Sequence, residues 1–263
     1  MWSGQTAGGS NLNASFLFNP QYLLSVQSPN STARSKLKVW LECQDKELRI
    51  AVHVVWGSGK RVTELNQGDV VASSGLYSSH LAATEADDLR NGEYTLVASA
   101  FDLGQEGEFT LHVECTAPVK IAALPPEGSG MYSRVVRGAW IPSTSAAGSP
   151  SHGDYTSNPT FKLEVPATGA FLARLQVESN QAPSLPAINL SVFRKNDGLA
   201  PLGRQVATSG PYDDSLAGVV VENPRLEAGG YLLLASTFAP NVPARFVLYV
   251  YTQHKPALQA LQI

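Results

Sequence analysis

Hydrophobic and polar residues alternate with a period of two along much of this chain, a pattern typical of half-buried β-strands. In residues 37–43, for example, every second side chain is apolar, while two of the three residues between them are charged. Clusters of glycine, proline, serine and asparagine separate such stretches, and no stretch keeps the 3.6-residue period of a helix over three turns. The sequence therefore predicts an all-β fold of antiparallel strands.

The strands that this pattern predicts are short and distributed over the whole chain. They cover residues 22–26, 37–43, 50–56, 70–72, 94–101, 109–115, 171–178, 188–193, 219–222, 231–238 and 244–251. The acidic stretch at residues 84–90 is predicted as a turn, with at most a single turn of helix. The strand at residues 231–238 is apolar on both faces, so one face would lie in water unless something covered it. The cover that we expect is a neighbouring domain.

The chain contains one opening block twice. Each copy begins with a tryptophan, continues through a turn of small residues and a short polar loop, and reaches Asn-Pro-x-aromatic at the start of a strand. Later landmarks follow in the same order and at nearly the same spacing, which indicates two copies of one domain. The paired positions are Trp2 and Trp140, Gly8-Gly9 and Ala147-Gly148, Asn19-Pro20 and Asn158-Pro159, Tyr22 and Phe161, Tyr94 and Tyr231, and Phe109 and Phe246.

The predicted boundary between the two domains is rich in proline and glycine. Residues 118–130 contain three prolines and two glycines, a composition that excludes a central strand and predicts a linker. The expected organisation is two tandem antiparallel β-sandwich domains, the first at residues 1–117 and the second at residues 131–263. Each is long enough to form its own core.

Composition narrows the class of protein without indicating a reaction. Of the 263 residues, 43% are hydrophobic and 16% are charged, which is typical of a globular chain. The net charge of −3 argues against a binder of duplex nucleic acid, which normally has a dense basic surface. Two cysteines cannot form a disulfide framework, so nothing implies secretion, and no apolar run is long enough to span a bilayer. Because Met1 stands directly before the repeated block, we expect a fragment with an added initiator methionine.

No set of residues in the sequence predicts a catalytic centre. Cys43 and Cys115 fall at apolar positions of alternating strands, so we expect buried free thiols rather than nucleophiles. His53 and His112 are predicted on the polar sides of strands, and no histidine lies in a motif that would activate either cysteine. We therefore expect no catalytic residue, and no cofactor unless the chain binds calcium.

Two groups of acidic residues and one group of basic residues are the remaining candidates for binding. Loops of β-sandwiches can bind calcium through several carboxylates, but each acidic group here offers fewer oxygen ligands than most calcium sites use. The basic residues could form an ordinary solvated face, protect an edge strand, or bind an anionic partner or a lipid headgroup. The acidic groups are Asp69 with Asp87-Asp88 and Asp197 with Asp213-Asp214, and the basic residues are Arg34, Lys36, Lys38, Lys60 and Arg61.

The opening block resembles that of calpain domain III, the β-sandwich that follows the protease core of calpains. In that family the block reads T-A-G-G-C, then a loop, then W-x-N-P-Q followed by phenylalanine or tyrosine. Here Thr6–Ser10 and Phe18–Tyr22 stand at the corresponding places, with Ser10 instead of the cysteine and a phenylalanine near the tryptophan position. The second copy departs further, having Ala147 for a glycine and Thr160 for the glutamine. Two such domains in tandem resemble the PalB branch of the calpains.

The resemblance implies two calpain domain III sandwiches with a non-catalytic role, since the catalytic residues of the family lie upstream. The PalB branch is similar to proteins of fungal ambient-pH signalling that act with the endosomal sorting machinery. The implied function is a regulatory or interaction module of an intracellular cysteine protease, which is cytoplasmic or recruited to endosomal membranes. Its implied partners are its own upstream protease core and other proteins. The motif residues mark the fold rather than a site, and they are Gly8, Gly9, Asn19, Pro20, Tyr22, Gly148, Asn158, Pro159 and Phe161.

Two other functions stay open on the sequence alone. One is a pair of calcium- or phospholipid-binding sandwiches that makes peripheral contact with membranes. The other is an extracellular accessory binding domain of a secreted hydrolase. The opening block favours the protease module over both.

Overall fold

The computed structural model describes residues 1–28, 34–178, 185–196 and 202–261. The chain divides into two compact units, Met1–Glu127 and Gly128–Ile263, and each unit packs two antiparallel sheets around an apolar core. The helical segments in the described ranges are short 3₁₀ turns, none of which has the length and apolar character needed to span a bilayer. The prediction of an all-β, sandwich-type fold is confirmed.

The first unit packs one large sheet against a smaller one. Its strands are β1 (Gln21–Val26), β2 (Ser35–Cys43), β3 (Arg49–Val55), β4 (Val70–Ser73), β5 (Ser78–Ser79), β6 (Leu81–Leu89), β7 (Gly92–Ala100), β8 (Phe109–Cys115) and β9 (Val119–Ala123). The large sheet has the order β4-β3-β7-β1-β9, with β5 pairing with β3, and the smaller sheet has the order β6-β2-β8. Two 3₁₀ turns, Gly4–Thr6 and Ala14–Phe18, precede β1.

The second unit repeats this arrangement with an additional strand at its start and, in the described ranges, without a counterpart of the two-residue β5. Its strands are β10 (Tyr132–Trp140), β11 (Thr160–Val165), β12 (Gly169–Val177), β13 (Ile188–Lys195), β14 (Leu202–Thr208), β15 (Val219–Leu226), β16 (Gly229–Thr237), β17 (Ala244–Thr252) and β18 (Ala257–Leu261). The sheets have the orders β14-β13-β16-β11-β18 and β10-β17-β12-β15. Two 3₁₀ turns, Pro150–His152 and Tyr155–Ser157, lie between β10 and β11.

Most of the acidic stretch predicted as a turn, residues 84–89 of 84–90, belongs to β6 instead. Its carboxylates lie opposite the basic residues of β2, and Lys38 is the direct cross-strand partner of Glu85. The Lys38 ammonium lies 3.5 Å from the Glu85 carboxylate, and Lys36 lies 3.5 Å from Asp87. Opposite charges on neighbouring strands stabilise the pairing, so an acidic segment can form a strand here.

The segment predicted as a linker, residues 118–130, contributes a strand to the first unit. Residues 119–123 form β9, which pairs with β1 at the edge of the large sheet. Pro118 immediately precedes this strand, and a proline outside a strand removes no ladder hydrogen bond. The boundary between the units falls between Glu127 and Gly128.

The strand that is apolar on both faces, β16, is covered within its own unit. Leu233 faces the core between the sheets, while Leu232 and Leu234 lie on the other face. Tyr155, from the 3₁₀ turn before β11, and Phe193 of β13 pack against that other face. The expectation that a neighbouring domain supplies the cover was therefore wrong.

The first unit covers its central strand in the same way. Phe16, from the 3₁₀ turn before β1, packs with Val55, Val62 and Val97 on the outer face of the large sheet. The opening block thus closes a second, smaller apolar cluster in each unit.

His53 lies inside the first unit, contrary to the prediction that it occupies the polar side of β3. Its side chain is 5% exposed, its Nδ1 atom lies 2.9 Å from Ser73 Oγ, and the ring of Phe16 approaches it edge-on. The alternation of apolar and polar residues along β3 gives the wrong burial for His53 because the opening block covers the outer face of this strand. Burial lowers the pKa of His53 to about 4, since the charged imidazolium loses its hydration.

We expect the first unit to lose stability as the pH falls from about 6.5 to about 4. In this window the unfolded chain binds a proton at His53 and the folded chain does not, which costs about 3 kcal/mol at the acid end. His53→Gln should flatten the dependence of the unfolding free energy on pH. Denaturant titrations across this range test the prediction, with the exposed His152→Gln as control. Equal pH slopes in wild type and His53→Gln would contradict it.

Candidate functional site

In the first copy of the motif, the Asn19 side chain holds the small-residue turn against the start of β1. Asn19 is completely buried, and its Nδ2 atom donates to the carbonyls of Gly9 at 2.8 Å and Phe16 at 3.0 Å. Its Oδ1 atom accepts the N–H of Gly8 at 3.2 Å. One amide side chain therefore satisfies three backbone groups of a loop that would otherwise have few partners.

The second copy repeats the two Nδ2 bonds with Asn158, whereas the buried Oδ1 atom of Asn158 has no hydrogen-bond partner among the described residues. Its Nδ2 atom donates to the carbonyls of Gly148 at 2.8 Å and Tyr155 at 2.9 Å, and the residue is again completely buried. The aromatic residues that follow pack edge-on against β8 or β17, with centroid distances of 6.5 Å for Tyr22 and 6.1 Å for Phe161. These motif residues fill structural roles inside each sandwich.

The two glycines of the first copy serve different purposes. Gly9 has φ +74, a left-handed conformation that favours glycine, and Gly148 matches it with φ +82. Gly8 does not have a positive φ. A Cβ atom at Gly8 would lie 2.2 Å from the carbonyl oxygen of Ser15, so close packing is what requires glycine there.

The five basic residues singled out in the sequence lie on two different sheets of the first unit. Arg34, Lys36 and Lys38 lie at or beside β2, and each faces a carboxylate of β6 at 3.3–3.5 Å. These pairs are well exposed, so each contributes little to stability, but they neutralise the basic surface. Lys60 and Arg61 lie in the loop that follows β3, a strand of the large sheet.

Arg61 has a structural role in the first unit. Its guanidinium donates to the backbone carbonyls of Leu17 at 2.6 Å, Asn19 at 2.9 Å and Leu124 at 3.3 Å. It thereby joins the opening block to the end of β9. Lys60 is exposed, and its carbonyl accepts the hydroxyl of Thr95.

The cysteines show no sign of a nucleophile. Cys43 is buried, and burial raises the pKa of its thiol, which disfavours the thiolate that would attack a substrate. His80 is close to Cys43, but its Nδ1 atom contacts the backbone carbonyl of Cys43 rather than the sulfur. Cys115 is half-buried at the open edge of the smaller sheet, and both cysteines are free.

The acidic candidates do not assemble into a cluster in the part of the chain that the structure describes. Within those ranges, no group of three or more His, Cys, Asp or Glu residues is arranged to hold a metal ion. Asp87 and Asp88 pair with Lys36 and Arg34, and Asp213 accepts the N–H of Ser215. Asp197 lies outside the described residues.

Both units contain a cleft at the same place, where the edge strands of the two sheets meet. In the first unit the cleft lies between β3, β4 and β6, and it is lined by the exposed Trp56 and Val71 with Tyr94. In the second unit it lies between β13, β14 and β15 and has a volume of about 510 Å³. Its cationic lining is Arg194, Lys195, Arg204 and Arg225. These basic residues are spread over three strands, so no sequence motif indicated them.

We expect Gly8→Ala to destabilise the first unit. The new methyl group would overlap the Ser15 carbonyl, and overpacking of this kind costs about 1–3 kcal/mol. Gly68→Ala is the matched control because a Cβ atom there meets nothing within 4 Å. Scanning calorimetry of the intact chain should show a lowered transition for Gly8→Ala alone. Equal transitions for the two variants would show that the loop accepts the methyl group, as the second copy accepts Ala147.

Comparison with known proteins places both units in one family. The family described as Calpain large subunit, domain III matches residues 1–113 and 136–251. Calpain-like protease palB/RIM13 of Cryptococcus neoformans var. neoformans serotype D is 37% identical over 234 residues, which are 89% of this chain and 28% of that protein. Calpain-like protease palB/RIM13 of Aspergillus oryzae is 38% identical over 129 residues, which are 49% of this chain and 14% of that protein.

A putative calpain-like cysteine protease A of Dictyostelium discoideum is 26% identical over 279 residues, covering 100% of this chain and 41% of that protein. The chain thus spans less than half the length of each of these relatives. Among solved structures, the match to N-glycanase F covers 98% of this chain and 97% of the N-glycanase F chain, at 11% sequence identity. Its TM-score of 0.25 is too low to support an argument about fold or function. The family match covers most of each sandwich, and the chain therefore belongs to the calpain large subunit domain III family, whose domain it contains twice.

Proposed function

We propose that the chain is the non-catalytic C-terminal module of an intracellular, PalB-like calpain-like cysteine protease, and that its first unit holds the protease core through the open edge of β8. A difference between the two sandwiches carries this proposal. In the second unit β17 pairs with both β12 and β10. In the first unit β8 pairs with β2 and with no other strand in the described ranges.

The open edge leaves part of the first core uncovered. In the second unit Phe246, Leu248 and Val250 of β17 are completely buried. Their counterparts on β8, which include Phe109 and Leu111, are only half-buried although they pack against the core. A strand added beside β8 would remove this apolar surface from water, and such burial stabilises a complex.

The backbone groups that this edge offers can be identified. Gly107, just before β8, exchanges two hydrogen bonds with Trp2, of 2.8 and 3.0 Å. The orientation of backbone groups alternates along a strand, so residues an even number of positions apart point their N–H and C=O groups to the same side. The backbone groups of Leu111 and Val113 therefore point to the side on which Gly107 bonds to Trp2, which is the open edge of β8. An exposed edge of this kind accepts an extended segment through main-chain hydrogen bonds.

The geometry favours a segment of the same polypeptide as the occupant. In the second unit β10 leads directly into Trp140, which pairs with Ala244. The bridge between Trp2 and Gly107 is the counterpart of that pair. A strand that completed the first unit in the same register would lead into Trp2, so the occupant we propose is the polypeptide that joins the protease core to this module. Backbone pairing would then fix the orientation of the core.

The resemblance to the PalB branch extends this proposal to partners and location. We propose that the module also recruits proteins of the endosomal sorting machinery and that it works in the cytoplasm. The similarity to two proteins named palB/RIM13 supports this extension.

Hydrogen exchange tests whether β8 gains a partner strand. In the 263-residue chain, we expect the amides of Leu111 and Val113 to exchange quickly because they face the open edge. The matched amides of Leu248 and Val250 are internal controls, since they face β10 and should be protected. In the full-length product of the gene, Leu111 and Val113 should become protected as well. Unchanged fast exchange in the longer protein would overturn the proposed docking.

We also expect the isolated chain to have no peptidase activity, because His80 contacts the backbone carbonyl of Cys43 rather than its sulfur, and no hydrogen bond among the described residues joins a histidine to the sulfur of Cys115. Incubation with casein and with a peptide library measures this directly. Turnover that was lost in Cys43→Ala or Cys115→Ala would show that a thiol of this chain is a nucleophile.

A further inference from the structure

We propose that the cleft between β13, β14 and β15 of the second unit is a binding site for a phosphate-bearing ligand. This inference does not depend on how β8 is completed, because it concerns a different unit. It rests on a comparison of the two clefts and on the charges of the second.

The fold forms the same cleft twice. In each unit a tyrosine lies beside the cleft and donates its hydroxyl to a backbone carbonyl four residues earlier, Tyr94 to Arg90 and Tyr231 to Glu227, both at 2.8 Å. A side chain from the end of β3 or β13 lies against this tyrosine. Since the cleft itself comes from the shared fold, its chemistry depends on the side chains that line it.

The side chain against the tyrosine differs between the units. In the first unit it is Trp56, whose ring meets Tyr94 edge-on at 4.8 Å between centroids. In the second unit it is Arg194, whose guanidinium carbon lies 4.9 Å from the centroid of the Tyr231 ring. Gly229, at the start of β16, leaves room for this arginine, because a Cβ atom there would lie 2.7 Å from Arg194 Nη2. The second cleft is therefore formed around a cation.

Arg194 is held in place before any ligand binds. Its Nη1 atom donates to the hydroxyl of Tyr231 at 2.5 Å, and its Nη2 atom donates to the carbonyl of Ala228 at 3.1 Å. A guanidinium has five N–H donors, so three remain for other partners. A fixed arginine loses less conformational entropy when it binds an oxyanion than a mobile one does.

Two arginines of the cleft, Arg204 and Arg225, lack the neutralisation that the described residues of the first unit show at β2. Among the residues that the structure describes, no carboxylate lies within ion-pair distance of Arg204 or Arg225, and Glu227 is the one acidic residue in the described lining. By contrast, the exposed cations at β2 each have a carboxylate within 3.5 Å. In the described lining, three arginines and one acid favour a multiply charged anion.

The size and geometry of the cleft favour phosphate over a lone carboxylate. A volume of about 510 Å³ lies within the range of small-ligand sites. A phosphate monoester carries about two negative charges and three acceptor oxygens, and arginine binds phosphate through two parallel hydrogen bonds. Such a group could belong to a soluble phosphate ester or to the headgroup of a phosphorylated lipid.

Charge reversal at the rim of the cleft tests the site. The intact chain is titrated with inositol trisphosphate by calorimetry and is mixed with phosphatidylcholine vesicles that contain or lack a phosphoinositide. The variants are Arg204→Glu and Arg225→Glu, at exposed positions that make no described ion pair. Arg245→Glu is the control, since it makes the same change of charge at an exposed position of the same unit outside the cleft.

We expect saturable binding of at least one probe, weakened about tenfold or more by each cleft variant and little changed by Arg245→Glu. Binding of the trisphosphate without recruitment to vesicles assigns a soluble ligand, and phosphoinositide-dependent recruitment that Arg225→Glu abolishes assigns a lipid headgroup. The proposal is overturned if neither probe binds saturably, or if Arg245→Glu weakens binding as much as Arg225→Glu does. Circular dichroism checks that each variant keeps its fold.

Discussion

Each sandwich depends on one alanine of its central strand, whose two backbone groups are both bonded to the opening block. The N–H of Ala98 donates to the carbonyl of Pro20 at 3.1 Å, and its carbonyl accepts the indole N–H of Trp2 at 3.0 Å. Ala235 makes the same two bonds in the second unit, at 3.0 and 2.9 Å. Buried backbone groups need partners, so these bonds determine where the block enters the sheet. The 3₁₀ turn between the tryptophan and the proline is then placed over the outer face of the central strand. This cover permits the central strand to be apolar on both faces.

With the frame fixed in this way, the units differ at one sheet edge and in the lining of their clefts. The second unit has β10 beside β17 and a cationic cleft, whereas the first has an open edge at β8 and a cleft lined by Trp56. The cleft can change its side chains without disturbing the core because Trp56, Arg204 and Arg225 are exposed. The open edge of β8, by contrast, leaves Phe109 and Leu111 only half-buried. The proposed roles follow this division: the first unit would contact the protease core, and the second would bind a phosphate-bearing ligand.

Placement decides what the charged residues can do. Arg34, Lys36 and Lys38 are close together in the sequence, but the acidic strand β6 neutralises them. Arg194 and Arg225 are far apart in the sequence and belong to different sheets, yet the same cleft contains both. A cluster of charges along the chain is therefore a poor guide to a charged surface in a β-sandwich, because cross-strand neighbours come from distant segments.

The sequence alone determined the fold class, the duplication and the family resemblance, because each depends on local periodicity or on a motif within one short block. It also identified Asn19 and Asn158, although not the hydrogen bonds that explain them. The cover over β16 and the burial of His53 were decided by tertiary structure, since both depend on a loop that packs from elsewhere in the chain. Alternation reports which side of a strand faces a core, but it does not report whether the other side is covered. The open edge of β8 and the cationic cleft are likewise properties of strand order, which brings together residues that no local pattern connects.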